Sequence, residues 1–195
     1  MDGVSPAPKP APLASNLPSP IDDGAAAHLI GGSIPNLELH STEGHDRDLA
    51  TLSATGLVLY IFPKMGRPNE ADPPGWDEIP GARGCTQQSC AFRDQHQEFA
   101  SNGYDVAGLS AQTPEDQLEA ATRLQLSFPL LADPELKLST VLGLPTFEIA
   151  GMTLYKRLTL VARGRRIVKV FYPVFPPDEN PSHVLEWILS TPRGT

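Results

Sequence analysis

Apolar and polar positions change rhythm several times along this chain, and each change marks an element. Gly56-Leu57-Val58-Leu59-Tyr60-Ile61-Phe62 is a continuous apolar run, the pattern of a strand buried on both faces. Val106-Ala107-Gly108-Leu109-Ser110 repeats it, and Pro35–Leu39 and Phe128–Leu131 read as shorter strands, with a turn at Gly44. Elsewhere the period lengthens. Cys85, Phe92 and Phe99 recur every seven residues, with Ser89 and His96 near the same stripe. That spacing predicts a helix from Cys85 to about Ala100. Thr113-Pro114-Glu115-Asp116 opens another helix, with a capping threonine, proline at the first position and acids in the first turn. Asp133-Pro134-Glu135 and Asn180-Pro181 repeat that device. Leu154–Ala162 and Arg166–Tyr172 read as strands joined by a hairpin turn at Arg163-Gly164-Arg165, and Val184, Leu185, Trp187 and Ile188 mark a final amphipathic helix. The alternation predicts an α/β fold, a mixed central sheet with helices on both faces.

Two stretches carry neither rhythm. Residues 1–28 are rich in Pro, Ala and Ser, with six prolines in the first twenty positions. Such a segment lacks the apolar content to offset its ordering entropy, and it is expected to be a disordered tail ahead of a folded domain at 29–195. The second stretch is a loop at 64–81. Pro63 to Pro80 holds five prolines, Gly66, Gly75 and Trp76, which excludes a helix or a central strand.

Composition narrows the function. Apolar residues are 40% and charged residues 19% of the 195 positions, a soluble globular balance. The net charge of −8 argues against a nucleic-acid partner, because phosphate binding needs a basic face. The basic stretch from Lys156 to Lys169 alternates with apolar residues and reads as a solvated strand face. No apolar run is long enough to span a bilayer, and the N-terminus lacks the regions of a secretory signal. No membrane partner and a cytoplasmic location are therefore expected.

Two cysteines, Cys85 and Cys90, are too few for a secreted disulfide scaffold. In a reducing compartment a close pair points to redox chemistry, catalysis or a metal. A cysteine at a helix N-terminus faces unpaired N–H groups and the positive end of the dipole, which favours the reactive thiolate. Five helical steps set the two side chains about 140° apart with an axial rise of about 7.5 Å. A disulfide needs Cα atoms within about 7 Å and suitable Cβ directions. If the pair is redox-active, the first turns of the helix must unwind on oxidation. Two cysteines on one helix are equally at home as buried small hydrophobes, and spacing alone leaves both readings open. A metal site is not expected: Cys85, Cys90 and His96 have no evident fourth ligand. No cofactor is expected either.

The string Gly84-Cys85-Thr86-Gln87-Gln88-Ser89-Cys90-Ala91-Phe92-Arg93-Asp94 closely resembles the active-site helix of the Q-type, bacterioferritin-comigratory-protein-like peroxiredoxins. Tyr60-Ile61-Phe62-Pro63-Lys64 matches the preceding strand and turn. The similarity continues through Gly103-Tyr104-Asp105-Val106, Thr113-Pro114 and Phe128 to Asp133, and it covers about residues 34–190. The resemblance implies a thioredoxin-like fold and reduction of hydrogen peroxide and organic hydroperoxides. By it, Cys85 is the peroxidatic cysteine and Cys90 the resolving one. Their disulfide would be reduced by thioredoxin or a similar dithiol, in a monomer or homodimer. Arg157, leading Arg157-Leu158-Thr159-Leu160-Val161, matches the arginine placed beside the sulfur, where it would donate to thiolate and peroxide oxygens. Lys156 is the neighbouring alternative. Pro63, Thr86 and Arg93 are the substrate-binding candidates, Arg93 with the alternative role of fixing the helix.

The chain departs from the family pattern twice. Ala82 stands where a threonine or serine hydroxyl is usual, with Arg83 where proline is usual. The loop between Pro63 and Cys85 is also much longer, so Pro80 is an alternative to Pro63 for shielding the sulfur. Ala82 keeps two other functions open: a disulfide oxidoreductase, and a redox sensor or binding module with little peroxidase turnover.

Overall fold

The computed structural model describes residues 7–191. Its frame is a seven-stranded mixed sheet in the order β2-β1-β5-β4-β3-β8-β9. The strands are β1 (Glu38–Ser41), β2 (Asp46–Asp48), β3 (Gly56–Ile61), β4 (Asp105–Ser110), β5 (Leu130–Ala132), β8 (Leu158–Arg163) and β9 (Arg166–Phe171). β6 (Thr146–Ile149) and β7 (Met152–Tyr155) form a separate hairpin. β3, β4 and β5 run parallel, while β8, β9, β1 and β2 pair antiparallel with their neighbours. The helices are α1 (Leu49–Leu52), α2 (Cys85–Ser101), α3 (Pro114–Leu124), α4 (Lys137–Leu142) and α5 (Asn180–Ser190).

Side-chain alternation splits the interior into two cores. Leu57, Leu59 and Ile61 of β3 join Leu158 and Leu160 of β8 on one side of the sheet, with Leu138 of α4. Val58, Tyr60 and Val161 face the other way, onto Phe92 and Phe99 of α2, Ala120 of α3 and Val184 of α5. This is the helix-covered sheet that the unbroken apolar runs imply, since a strand buried on both faces has no polar side. The Tyr60 and Phe92 rings stack at 4.4 Å and fix α2 against the sheet. The β8–β9 turn places Gly164 and Arg165 both at positive φ, 54° and 66°, as a two-residue hairpin requires.

Several elements differ from the sequence expectation. β1 begins three residues later, and β2 and α1 carry too little apolar pattern to announce themselves. Leu154–Ala162 is two strands, not one. The chain breaks at Lys156-Arg157, where the Lys156 N–H donates to Pro145 O at 2.9 Å and closes the base of the β6–β7 hairpin. The Thr113 cap forms as expected, but Asp133 does not start a helix at Pro134. Its carboxylate reaches across a turn to accept from the N–H groups of Lys137 and Leu138 and from the Tyr155 hydroxyl. Asn180 is turned into the protein, and its role is described below.

The first six residues of the Pro/Ala-rich segment lie outside the described residues. From residue 7 onward the segment, expected to be disordered, lies along the domain. Proline-rich chain has few N–H groups for structure of its own, and its carbonyls take donors from α2. Arg93 donates to Pro8 O, and Gln87 Nε2 donates to Ala11 O at 2.8 Å. Ala26 and Leu29 are buried in the first core.

Gly108 of β4 marks a close approach. A Cβ there would fall 2.5 Å from Leu130 Cδ2 and 2.7 Å from the Tyr60 hydroxyl. Gly108→Ala should therefore destabilise the fold by about 1–3 kcal/mol, the usual cost of overpacking. The expected readout is a lower urea midpoint with an unchanged denaturant slope.

Candidate active site around Cys85

Gly84 ends the long loop in the left-handed region, at φ 100°, and Cys85 is the first residue of α2. A Cβ on Gly84 would meet Pro177 Cγ at 2.6 Å, so both conformation and space require glycine. The N–H groups of the first turn have no intrahelical acceptors, and no acidic side chain opposes the dipole there. Cys85 is buried, with 4% of its surface exposed. Its sulfur lies 3.6 Å from Ala82 O and accepts a hydrogen bond from Arg157 Nη2 at 3.1 Å.

Arg157 precedes β8 in phase with Thr159 and Val161, which sends its side chain toward α2. The guanidinium is buried and donates to the carbonyls of Gly81, Ala82 and Arg83 and to Gln88 Oε1. Among the described residues no carboxylate pairs with it. Gln88 is itself held, its Nε2 donating to Asn180 Oδ1 at 2.9 Å, and Thr159 Oγ1 donates to the same oxygen at 2.8 Å. Gln88, Asn180 and Thr159 form a buried polar brace behind the arginine that the sequence reading did not identify. A faint signal existed for Gln88, which lies three residues after Cys85 on a helix face that buries Phe92. Asn180 read as a helix cap, yet its side chain serves this network instead.

Cys90 is buried one and a half turns further on, in the core with Phe92. Burial pushes its thiol above the ordinary range, with the nearby Asp94 charge acting the same way and Arg93 opposing. Both thiols are free. Between them Ser89 accepts a hydrogen bond from the Tyr60 hydroxyl at 3.0 Å. Burial holds that phenol protonated, far above its usual range.

The other candidates separate. Thr86 is half-buried and lines the cavity of about 590 Å³ that contains Cys85. Pro63 does not line it. With Pro80 and Arg157, Pro63 lines a neighbouring cavity of about 300 Å³. Arg93 does not reach the Cys85 cavity either. Its donors go to Leu124 O at 2.7 Å, to Pro8 O and to Asp94, which ties α2 to the end of α3. Lys156 points elsewhere, onto Asp23 at 2.7 Å.

The long loop is pinned rather than loose. Gln112 holds both the N–H and the carbonyl of Met65, and Arg123 donates to Gly66 O. Arg83 bonds Asp72 and Asp77. Trp76 is buried against Ala82, Ile149 and Leu154, with its ring 6.2 Å from that of Phe147 on β6. The loop thereby becomes a wall of the Cys85 cavity. Among the described residues no group of three or more His, Cys, Asp or Glu could hold a metal ion.

Known proteins match this chain along most of its length. Residues 29–186 match the Redoxin family. Peroxiredoxin Q of Sedum lineare chloroplasts is 30% identical over 82% of this chain and 77% of its own length. Peroxiredoxin bcp1 of Schizosaccharomyces pombe is 28% identical over 70% of this chain and 63% of its own. Among solved structures, the peroxidoxin BcpB of Mycobacterium tuberculosis is 25% identical with a TM-score of 0.66, covering 84% of this chain and 97% of that one. A Xylella fastidiosa PrxQ mutant shares the fold at 19% identity and the same TM-score, over 82% and 94% of the two chains. Among the described residues no helix is long and apolar enough to cross a membrane. With a thioredoxin-like sheet, a cysteine at the head of α2 and an arginine on its sulfur, the chain belongs to the redoxin family, alongside the peroxidases named peroxiredoxin Q.

Proposed function

We propose that this protein reduces hydrogen peroxide and organic hydroperoxides through Cys85, resolves the product with Cys90, and is recycled by thioredoxin or a similar dithiol in the cytoplasm. The observation that carries this reading is the 3.1 Å hydrogen bond from Arg157 to the Cys85 sulfur, made by a buried cation with no carboxylate of its own. Of the groups that accept from this guanidinium the sulfur is the one that can carry a negative charge. The Cys85 thiolate attacks one peroxide oxygen. The S–O bond forms as the O–O bond breaks, and the departing alkoxide or hydroxide takes a proton. Cys85 is oxidised to the sulfenic acid. Arg157 and the open N–H groups of the first turn stand where the negative charge moves. The first turns of α2 then unwind, Cys90 attacks the Cys85 sulfur, an S–S bond forms and water leaves. The incoming dithiol is oxidised as it returns both cysteines to thiols.

Ala82 supports a second reading. Where the family pattern has a hydroxyl, this chain offers a carbonyl and a methyl group, and the Thr86 hydroxyl on the cavity wall is the nearest substitute by sequence. A protein slowed in this way would serve as a redox sensor or a disulfide oxidoreductase. The rate of Cys85 oxidation by peroxide separates these readings from a peroxidase.

Cys85→Ser should abolish peroxide consumption. Cys90→Ser should consume one equivalent, trap the sulfenic acid for a dimedone label, and fail to turn over with thioredoxin. Equal oxidation rates in Cys85→Ser and wild type would remove the assignment. Arg157→Gln removes the charge and the Nη2 donor to the sulfur, and kcat/KM should fall about 10²–10³-fold. A rate within threefold of wild type would show that the guanidinium does not act on the reaction.

The resolving step should depend on pH. Because burial raises the Cys90 thiol, the intact helix favours the protonated form. That contribution is fully present below the ordinary thiol value of about 8.5 and is lost as pH rises through the raised one. Alkaline conditions therefore loosen the helix and also supply more thiolate. Disulfide closure from the preformed sulfenic acid, followed by quenched-flow mass spectrometry, should accelerate between pH 7 and 9, approaching about tenfold per unit below the thiol value. A flat profile would mean that another step limits closure.

A further inference from the structure

The Cys85 cavity has a wall that the family match does not contain. Its volume is about 590 Å³, within the range of cavities that enclose whole organic ligands. Hydrogen peroxide, only one oxygen atom larger than a water molecule with its ~30 Å³ share, would occupy a small part of it. The residues that line this space together with Cys85 include Pro12, Leu13 and Leu17, whereas the Redoxin match begins at residue 29.

This N-terminal strap is tied down along its length. Gln87, two residues after Cys85, donates to Ala11 O at 2.8 Å, and Arg93 donates to Pro8 O at 3.3 Å. Pro20 packs over Gly81. Asp23 accepts from Lys156 at 2.7 Å and from the Tyr172 hydroxyl at 2.8 Å. Leu13 and Leu17 are each half-buried, and in a segment held at this many points their side chains form a set surface.

The rest of the lining tells what chemistry that surface would receive. Its arginines are already matched: Arg67 with Asp116, Arg83 with Asp72 and Asp77, and Arg123 with Glu119. Lys64 and Glu70 add one charge of each sign. With these partners counted the cavity has no net positive charge to attract an anion, and the strap adds apolar surface beside Gly84 and Cys85.

We propose that Leu13 and Leu17 are specificity-determining residues, which hold the neutral, apolar substituent of an organic hydroperoxide while its O–O group lies at Cys85. The inference rests on the peroxidase reading above and adds the residues that favour one of its two substrate classes over the other. Hydrogen peroxide carries no substituent and gains nothing from the strap. A branched alkyl or aryl group buries apolar surface against it, and contacts of this size in an apolar site discriminate by about tenfold or more.

The test uses the full chain with cumene hydroperoxide and hydrogen peroxide, each consumed with thioredoxin as reductant. In Leu13→Ser/Leu17→Ser, the ratio of kcat/KM for cumene hydroperoxide to that for hydrogen peroxide should fall about tenfold. Leu189→Ser, at an exposed leucine on the distant end of α5, should leave the ratio at its wild-type value. An unchanged ratio in the strap variant overturns the inference, including the case where both activities fall together because the strap is merely structural. An equal fall in the ratio for Leu189→Ser overturns it too. Inertness of the wild type toward both peroxides is a separate outcome, which removes the peroxidase reading and the inference with it.

Discussion

The contact on which the site depends is the buried guanidinium of Arg157 against the Cys85 sulfur. Taking a cation out of water costs several kcal/mol unless its surroundings repay it. Here repayment comes from the carbonyl dipoles of Gly81, Ala82 and Arg83, the Gln88 amide and the sulfur itself. Three successive carbonyls can converge on one side chain only if the chain doubles back sharply. Gly81 and Gly84 allow this at φ 78° and 100°, values at which other residues are strained. The turn in front of α2 is thus shaped around the arginine, and the arginine is held by the turn. Asn180 and Thr159 brace the arrangement through Gln88, so α5 and β8 are both committed to the same few atoms.

A second constraint acts against the first. In the proposed mechanism the helix must be intact to present Cys85 at its N-terminus, and it must open for Cys85 to reach Cys90. The distribution of contacts along α2 reconciles the two. From Thr86 to Ser89 the helix is held through polar side chains: Gln87 to the strap, Gln88 to Asn180 and Arg157, and Ser89 to Tyr60. Hydrogen bonds of this kind contribute about 0.5–1.5 kcal/mol each, somewhat more to a charged partner. Beyond Cys90 the anchors are Phe92 and Phe99, fully buried, each contributing about 1.5–3 kcal/mol through burial alone. Opening the first turns exchanges protein hydrogen bonds for bonds to water, whereas opening the rest would strip the second core. The boundary between a segment that can open and one that cannot falls just after Cys90.

What was legible in the sequence follows from how local each signal is. β3, α2 and β4 announce themselves because their patterns repeat within a few residues, and the Thr113-Pro114 start needs only its own neighbours. The mixed sheet with helices on both faces followed from those elements. The elements that were misread use local chemistry for distant ends. Asp133 and Asn180 have the composition of caps, but their side chains serve Tyr155 in one case and Gln88 and Thr159 in the other, partners that no window of sequence brings together. The break at Lys156-Arg157 has no glycine or proline to mark it and arises because Pro145 O captures the Lys156 N–H. The placement of Arg157 came from the family pattern rather than from periodicity. The composition of the Pro/Ala-rich segment shows that it cannot form a core of its own. Composition does not show that it can lie on a core supplied by the rest of the chain.

The two departures from the family pattern, Ala82 and the lengthened loop, are one structural feature. Ala82 is 1% exposed and packs in an apolar cluster with Trp76, Ile149 and Leu154. A threonine or serine hydroxyl there would need a partner or incur a desolvation cost, and the ring of Trp76 offers no acceptor in its plane. The methyl group lets the tryptophan close over the turn, and Arg83, in the place of the usual proline, ties the same loop through Asp72 and Asp77. Where the family pattern has a hydroxyl, this chain has a fixed wall. That wall and the strap both bound the cavity that contains Cys85, so in the proposed reaction, surface around the peroxide's substituent takes over recognition that a single hydroxyl would otherwise supply.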